Sequence, residues 1–496
     1  MTLRASLLQQ LENPALTANQ RAELRCQLAR ELEDAGEYER AREALGELWQ
    51  GIGRMPRTEG LERSTAAEVL LRAGVLTGWL GSSNQIKGSQ ESAKNLLTKS
   101  SRIFASLSYS QRVMEAQTEI AYCYWREGGY DEARIILKDA LSQLTTESDL
   151  KAKATLRSAI VEWTSLRYHD ALCILIEAAS LFQQIRNHTI KGSYHDALAG
   201  VLVNLAESER REDYTDRAFV EYAAASYHFA QARHKRYLAI VENNLGFLYF
   251  KVGKYEEAHE HLDHARRILA SLKDSGTVAQ VDETRARVFI TQERYSQAES
   301  AARSAVRTLE KGGRQSLLAE ALTTHGVALA RLGYHARARF TLFRAAEIAH
   351  LSGALNTAGL AALSIIEELS EQLTIDEMQA IYQKAYDWLV SSQHSQTLHR
   401  LLKAASRVLS ACASAQKESA KLEAGTQGTL RDVMHQYEKE IIRQALRNSQ
   451  GSVTRAGDLL GISYQLLTYL LEHRHRDLLL ERNPAKPRGR SIVKKQ

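Results

Sequence analysis

Proline is nearly missing from this chain. Of 496 residues only Pro14, Pro56, Pro484 and Pro487 are proline, and none lies between residues 57 and 483. Proline breaks helix interiors and marks the turns of sheet proteins, so so long a run without it excludes most β-rich architectures and predicts an almost wholly helical protein. Cysteine is also scarce. Cys26, Cys123, Cys173 and Cys412 stand far apart, with no CxxC or Cys/His finger spacing, which excludes a disulfide framework or a structural zinc site. No run of about 18 apolar residues appears, so no membrane-spanning helix is expected. The opening MTLRASLLQQLENP lacks a signal-peptide core, and the expected location is cytoplasmic. Phosphate loops of the GxxxxGK[ST] type, HExxH helices and nucleophile elbows are absent. No enzyme class gains support, and neither a cofactor nor ATP hydrolysis is expected.

Charge of one sign is lacking everywhere but at one end. The chain has 65 Lys and Arg against 59 Asp and Glu, a net charge of +6. Arg482, Lys486, Arg488, Arg490, Lys494 and Lys495 supply six bases in the last fifteen residues, which hold no acid. The preceding 481 residues are therefore balanced, and a partner drawn by net charge is expected at the C-terminus.

What is present is a repeat of about forty residues. Gly253-Lys254-Tyr255-Glu256-Glu257-Ala258 has counterparts in Gly36-Glu37-Tyr38-Glu39-Arg40-Ala41, Tyr130-Asp131-Glu132-Ala133, Tyr168-His169-Asp170-Ala171, Tyr295-Ser296-Gln297-Ala298 and Gly333-Tyr334-His335-Ala336-Arg337-Ala338. With weaker matches at Ala93 and Ala218, the alanines fall at 41, 93, 133, 171, 218, 258, 298 and 338, and a ninth degenerate unit places Met378, Tyr382 and Ala385. A small residue before a turn and an alanine after it let two helices cross closely. Each helical hairpin is apolar on two sides, so the units must stack into a solenoid.

Over roughly residues 20–390 these signatures resemble tetratricopeptide repeats, with longer helices than that family's usual period implies. The Tyr and Ala positions are packing positions. Function is expected on the concave face, where Asn204 and Asn244 share one repeat position. In peptide-binding members of the family, a first-helix asparagine holds the ligand backbone and nearby bases hold carboxylates. The resemblance therefore implies a partner groove of Tyr122, Trp125, Arg126, Arg157, Asn204, Asn244, Phe247, Lys251, Arg287 and Arg331, receiving a protein or peptide. His259, His261 and His264 sit early on a second helix. They read as solvated helix histidines rather than a metal site.

The expected organisation is a solenoid over residues 1–394, a capping or connecting helix over 395–424, a small domain over 425–481 and a disordered basic tail over 482–496. Gly425-Thr426-Gln427-Gly428-Thr429 reads as a hinge. Beyond it a first helix is expected at about 429–448, with Val433, Tyr437, Ile441 and Ala445 on one face. A short second helix, capped by Ser452, runs to Leu460, and a third follows the tight turn Gly461-Ile462-Ser463 to about Arg474. Gly457 is small where the last two helices cross. Gly461 suits a positive φ, and Ala456, Leu460, Ile462, Leu467 and Leu470 form a shared core. The pattern is a helix-turn-helix.

The stretch Tyr437–Arg474, above all Gly451-Ser452-Val453-Thr454-Arg455-Ala456-Gly457-Asp458-Leu459-Leu460-Gly461-Ile462-Ser463, is similar to the Fis-type domain that ends many bacterial enhancer-binding regulators. That resemblance implies a homodimer whose third helices enter successive major grooves of double-stranded DNA, with Thr454 and Arg455 on phosphates. Ser463, Tyr464, Gln465, Thr468 and Tyr469 are the side chains offered to the groove, with Arg474 at the helix end, and Gln465 suits adenine. The family's recognition helix is usually rich in Arg and Lys, and this one is not. The tail resembles an AT-hook core, with Arg488 and Arg490 flanking Gly489 for the minor groove of A·T-rich DNA. A disordered basic arm that binds phosphates without preference fits the same residues.

The expectation is thus an all-α, nucleoid-associated transcription regulator of bacterial type: a superhelical solenoid that receives a partner, then a Fis-type helix-turn-helix assisted by a basic tail. The alternative is an interaction scaffold whose Fis-like module only dimerises or docks to another regulator.

Overall fold

A computed structural model describes residues 3–392, 394–422 and 430–481. Every regular element among them is helical. The chain divides into two compact units: residues 1–373 with 383–394, and residues 374–382 with 395–496.

The first unit opens with α1 (Leu3–Leu11). Then come the hairpins α2 (Ala18–Asp34) and α3 (Tyr38–Leu45), α4 (Arg63–Ser83) and α5 (Ser89–Ser106), α6 (Ser110–Glu127) and α7 (Tyr130–Gln143), and α8 (Asp149–Thr164) and α9 (Tyr168–Glu177). A short α10 (Ala179–Gln184) follows. After it come α11 (His188–Glu209) and α12 (Glu212–Gln231), α13 (Lys235–Lys251) and α14 (Tyr255–Ser271), α15 (Ser275–Thr291) and α16 (Tyr295–Leu309), α17 (Gln315–Arg331) and α18 (His335–Leu351), and α19 (Leu355–Leu369), followed by α20 (Ile375–Leu389), which is divided between the two units after Tyr382. Two irregular intervals in the alanine series have structural causes. A loop after α3, folded around the buried Trp49, lengthens the first. The inserted α10 lengthens the fourth.

The alanine column is the seam of each hairpin. Ala41, Ala93, Ala133, Ala171, Ala218, Ala258, Ala298 and Ala338 all have no exposed surface, and Met378 takes the equivalent place in α20. A methyl group there lets the paired helix approach, and a longer side chain would overpack the crossing by about 1–3 kcal/mol. Gly246 serves the same contact from the other helix, where a Cβ would press on the Leu262 side chain.

The corners share one backbone device. Two residues before α3, α7, α14 and α18 stand Gly36, Gly128, Gly253 and Gly333, all with positive φ. Before α9, α12 and α16 the same left-handed place is held by Leu166, Arg210 and Glu293, at φ 59°, 54° and 59°. Glycine marks the turn where it occurs, but the fold imposes the conformation whichever residue is present.

The solenoid winds back onto itself. Corners of the first four hairpins meet helix starts four or five hairpins later. Thr189 Oγ1 donates to the Asp34 carbonyl at 2.8 Å, and Ser275 Oγ to the Ser83 carbonyl at 2.9 Å. Tyr130 and Ser316 hydroxyls lie 2.9 Å apart, and Asn356 Nδ2 donates to the Ser165 carbonyl at 2.6 Å. Arg236 donates to Ser83 Oγ and pairs with Asp274. Within this unit one superhelical turn therefore rests on the next, and much of the concave side is interior.

In the second unit α21 (Ser395–Leu422) precedes α22 (Leu430–Asn448), α23 (Val453–Leu460) and α24 (Tyr464–His473). The expected hinge at 425–429 and the tail at 482–496 lie outside the described residues. Ile442, Ala445, Leu446, Val453, Ala456, Leu467, Leu471 and Leu478 form the core of the three-helix module, with Leu460, Ile462 and Leu470 partly buried around it. Leu471, not Leu470, is the deeper residue of α24. Ile442 likewise lies deeper than Ile441. Among the described residues no helix is long and apolar enough to cross a membrane.

Candidate DNA-binding surface and solenoid lumen

The turn between α23 and α24 is built by two glycines. Gly461 has φ +64°, and a Cβ on Gly457 would stand 3.0 Å from the Ile462 carbonyl. Ser452 Oγ accepts from Arg455 N, and Ser463 Oγ from Leu466 N at 3.2 Å, so hydroxyls cap both helices. Thr454 and Arg455 are exposed in the first turn of α23. There the helix dipole and free N–H groups favour an anion, and no acid pairs with Arg455 among the described residues.

Tyr464, Gln465, Tyr469 and Glu472 lie exposed along α24. At spacings i, i+1, i+5 and i+8 they make one outward stripe. Three expected groove contacts stand differently. Thr468 is half-buried although i+4 falls within the span of that stripe, and its hydroxyl oxygen is buried with no hydrogen-bond partner. Ser463 is exposed, but its oxygen is engaged as the cap. Arg474 lies just past the end of α24, where its guanidinium is 3.3 Å from Glu438 of α22. His475, fully buried, reaches the same carboxylate at 3.1 Å. Arg474 is thereby partly neutralised. Arg488 and Arg490 lie outside the described residues. The apolar edge of the module, Met434, Tyr437, Ile441, Leu466 and Leu470, lines a cavity of about 900 Å³ together with Leu402, Ala405 and Leu409 of α21.

The expected partner groove resolves into separate groups. Tyr122, Trp125, Arg126 and Arg157 come together. Tyr122 stacks on Trp125 at 5.0 Å, and the Arg126 guanidinium lies 4.0 Å from the Trp79 ring and 4.4 Å from that of Tyr122. Arg126 and Arg157 were expected on an open face, but both are buried. Arg157 is held by Glu119 at 2.8 Å and by the Thr118 carbonyl at 2.6 Å. Trp125 Nε1 donates to Thr164 Oγ1 at 3.1 Å. The cause is the second superhelical turn, which covers this stretch.

Phe247, Lys251 and Arg287 form another group. Lys251 lies 5.4 Å and the exposed Arg287 4.9 Å from the Phe247 ring, while Lys251 pairs with Glu207 at 2.5 Å. Asn204 and Asn244 do share a repeat position, yet their amide N–H groups are engaged within the fold. Asn204 donates to the Gly200 carbonyl at 2.7 Å and Asn244 to Asp196 at 2.8 Å. Arg331 stands apart on Glu368, at 2.7 Å. The three histidines are separately engaged, His259 with Gln292 and His261 and His264 with Glu242. Among the described residues no group of three or more His, Cys, Asp or Glu side chains could hold a metal ion.

Sequence reasoning missed a buried charge cluster. Arg72, in the middle of α4, lies 2.5 Å from Glu33, 3.2 Å from Glu68 and 2.5 Å from Glu115. Burial pushes the Glu33 carboxyl up to about 7 despite the attraction of Arg72. Burial would also raise Glu115, but Arg72, with Arg30, Arg112 and Lys153, holds it down at about 2. The difference follows from the number of bases near each carboxylate. Arg72, Glu33 and Glu115 line a cavity of about 170 Å³ inside the solenoid.

No curated protein matches the chain. Among solved structures, a Rap protein complexed with competence and sporulation factor is similar in fold, with 12% identity and a TM-score of 0.52; 79% of this chain and 99% of that one are covered. Yeast Tom70 aligns at 12% identity over 82% of this chain and 85% of its own, with a TM-score of 0.41. Residues 237–311 match the tetratricopeptide repeat, and residues 434–472 match the Fis family of bacterial regulatory proteins. The chain is a tetratricopeptide-repeat solenoid that ends in a Fis-type helix-turn-helix.

Proposed function

We propose that this protein is a DNA-binding transcription regulator whose solenoid receives a protein or peptide partner and whose C-terminal module, as a homodimer, reads double-stranded DNA. The observation that carries the reading is the exposed stripe of α24 beside an anion-ready α23 N-terminus. Tyr464, Gln465 and Tyr469 supply hydrogen bonds and flat apolar surface for base edges, and Thr454 with Arg455 supplies phosphate contacts. The α24 helix itself contains only one charged side chain other than histidine, the acid Glu472. The phosphate attraction falls to Arg455 and to the six bases of residues 482–496. The apolar edge with Met434, 48% exposed, and Leu466, 46% exposed, suits a second copy. No catalytic activity is assigned, and the setting proposed is the cytoplasm, at the nucleoid.

The test is retention of the full chain on random and genomic duplex DNA over a salt series. Affinity that falls steeply with salt, and weakens when residues 482–496 are deleted, supports the reading. No affinity even at low salt refutes it. In that case the second reading stands, a scaffold whose Fis-like module only dimerises or docks; the pairing of Arg474 with Glu438 favours that reading.

A further inference from the structure

The 170 Å³ cavity is bounded by α2, α4, α6 and α8 on one superhelical turn and by the starts of α11 and α13 on the other. Three of its polar atoms are buried without a hydrogen-bond partner, and one of them, Arg72 Nε, still stands in ion-pair range of Glu68 at 3.2 Å. Glu33, with 8% of its side chain exposed, gives Oε2 to Arg72, but its Oε1 has no hydrogen-bond partner. His234, 1% exposed, accepts from Tyr237 N at 3.1 Å through Nδ1, and its Nε2 has no partner. Burial, with Arg236 nearby, lowers the His234 ring to about 3, so it is neutral and carries its proton on Nε2. Apart from Arg72 Nε, which Glu68 serves electrostatically, the cavity thus holds one unmet acceptor and one unmet donor, and a buried polar group left unmatched is costly. The two groups are neighbours in the fold: the His234 ring lies against Gly36, three residues after Glu33, and only a glycine leaves room for it.

The surrounding charges choose the ligand. Arg72 is shared among Glu33, Glu68 and Glu115, and Arg157 and Lys153 are both engaged by Glu119. Arg30 reaches Glu115 only at 3.9 Å. Asp34 and Asp149 also line the cavity and are held in no ion pair among the described residues. The uncommitted charge is therefore acidic, which attracts a cation and repels a carboxylate. Trp79, Tyr122 and Tyr237 offer apolar surface beside it.

We propose that this cavity binds an ammonium group that carries a hydrogen-bond acceptor next to it, as the α-amino end of an amino-acid derivative or a peptide does. The ammonium donates to Glu33 Oε1, and His234 Nε2–H donates to the adjacent carbonyl oxygen. The inference rests on the solenoid being the ligand-receiving part, and it is independent of the DNA-binding reading. An ammonium beside Glu33 favours the carboxylate, so binding near neutral pH releases a proton to the buffer.

The experiment is calorimetric titration of the full chain with alaninamide, trialanine and N-acetylalaninamide, in two buffers that differ in ionisation heat. Alaninamide or trialanine is expected to bind with proton release. Trialanine alone indicates a peptide source, alaninamide alone a small molecule, and both results support the site. The acetylated probe, which lacks the ammonium, is expected to bind at least about tenfold more weakly. Glu33→Gln is expected to weaken the free amines by about tenfold and to abolish the proton release. If that variant does not fold, the free and blocked probes on the unaltered chain still decide. Equal binding of blocked and free probes, no binding by any probe, or an unchanged response in Glu33→Gln would overturn the proposal. DNA retention of the same preparation tells that failure apart from failure of the regulator reading.

Discussion

At the scale of single residues, the protein is most unusual where charges are buried in the solenoid. Glu33 has its carboxyl raised to about 7 by burial, whereas an unfolded glutamate titrates near 4.5. Between those values the folded state binds more protons than the unfolded one, so stability falls as pH rises through the window. Melting temperature should decline from about pH 5 to about pH 7, and Glu33→Gln should flatten that part of the profile. An unchanged slope would place the titration elsewhere. Arg72 has the opposite role. Arg72→Met leaves Glu33, Glu68 and Glu115 without their shared counter-ion, and denaturant unfolding should show a loss of about 3–5 kcal/mol. None of this was legible in the sequence. A base in an amphipathic helix reads alike whether it faces water or a second superhelical turn, so Arg126 and Arg157 were expected on an open groove and proved to be interior.

At the scale of elements, much was legible because spacing carries it. The alanine column was visible as a period, since close helix crossing demands one small residue per hairpin. The helix-turn-helix was visible because Gly457, Gly461, Ala456 and Leu467 each have one steric task. Faces were less well resolved. Adjacent helix positions differ by about 100°, and Leu470, expected in the shared core, packs against it only partly buried while its neighbour Leu471 lies deeper. Corners were legible only where glycine fills them; Leu166 and Glu293 adopt the same backbone with no sequence mark. Two substitutions separate conformational from packing demands. Gly253 sits in open space at φ +77°, so Gly253→Ala should cost about 1 kcal/mol, from the left-handed backbone alone. Gly200 is helical, but a Cβ there would drive into the Trp163 ring. Gly200→Ala should cost more, about 1–3 kcal/mol or above. Urea denaturation of the two variants checks the order.

At the scale of the whole molecule, the chain combines a solenoid stabilised by contacts between its own turns with a small Fis-type helix-turn-helix module and a basic end. The contacts between turns came from no repeat motif, because residues 153 to 192 apart in sequence have no spacing to betray them. Asn356→Ala removes one such contact and should cost about 1 kcal/mol, read as a lower melting temperature. The division of charge, by contrast, was written in the composition, since the excess of six bases lies wholly after residue 481. The central claim is that the C-terminal module reads DNA with few phosphate contacts of its own. It is tested most directly by the slope of log affinity against log salt for the full chain, for Arg455→Ala and for Gln465→Ala, each on a selected and a random duplex. Arg455→Ala is expected to weaken both duplexes alike and to lower the slope by about one. Gln465→Ala should keep the slope and lose the preference for the selected duplex. Unchanged affinity, slope and preference in both variants would contradict the central claim.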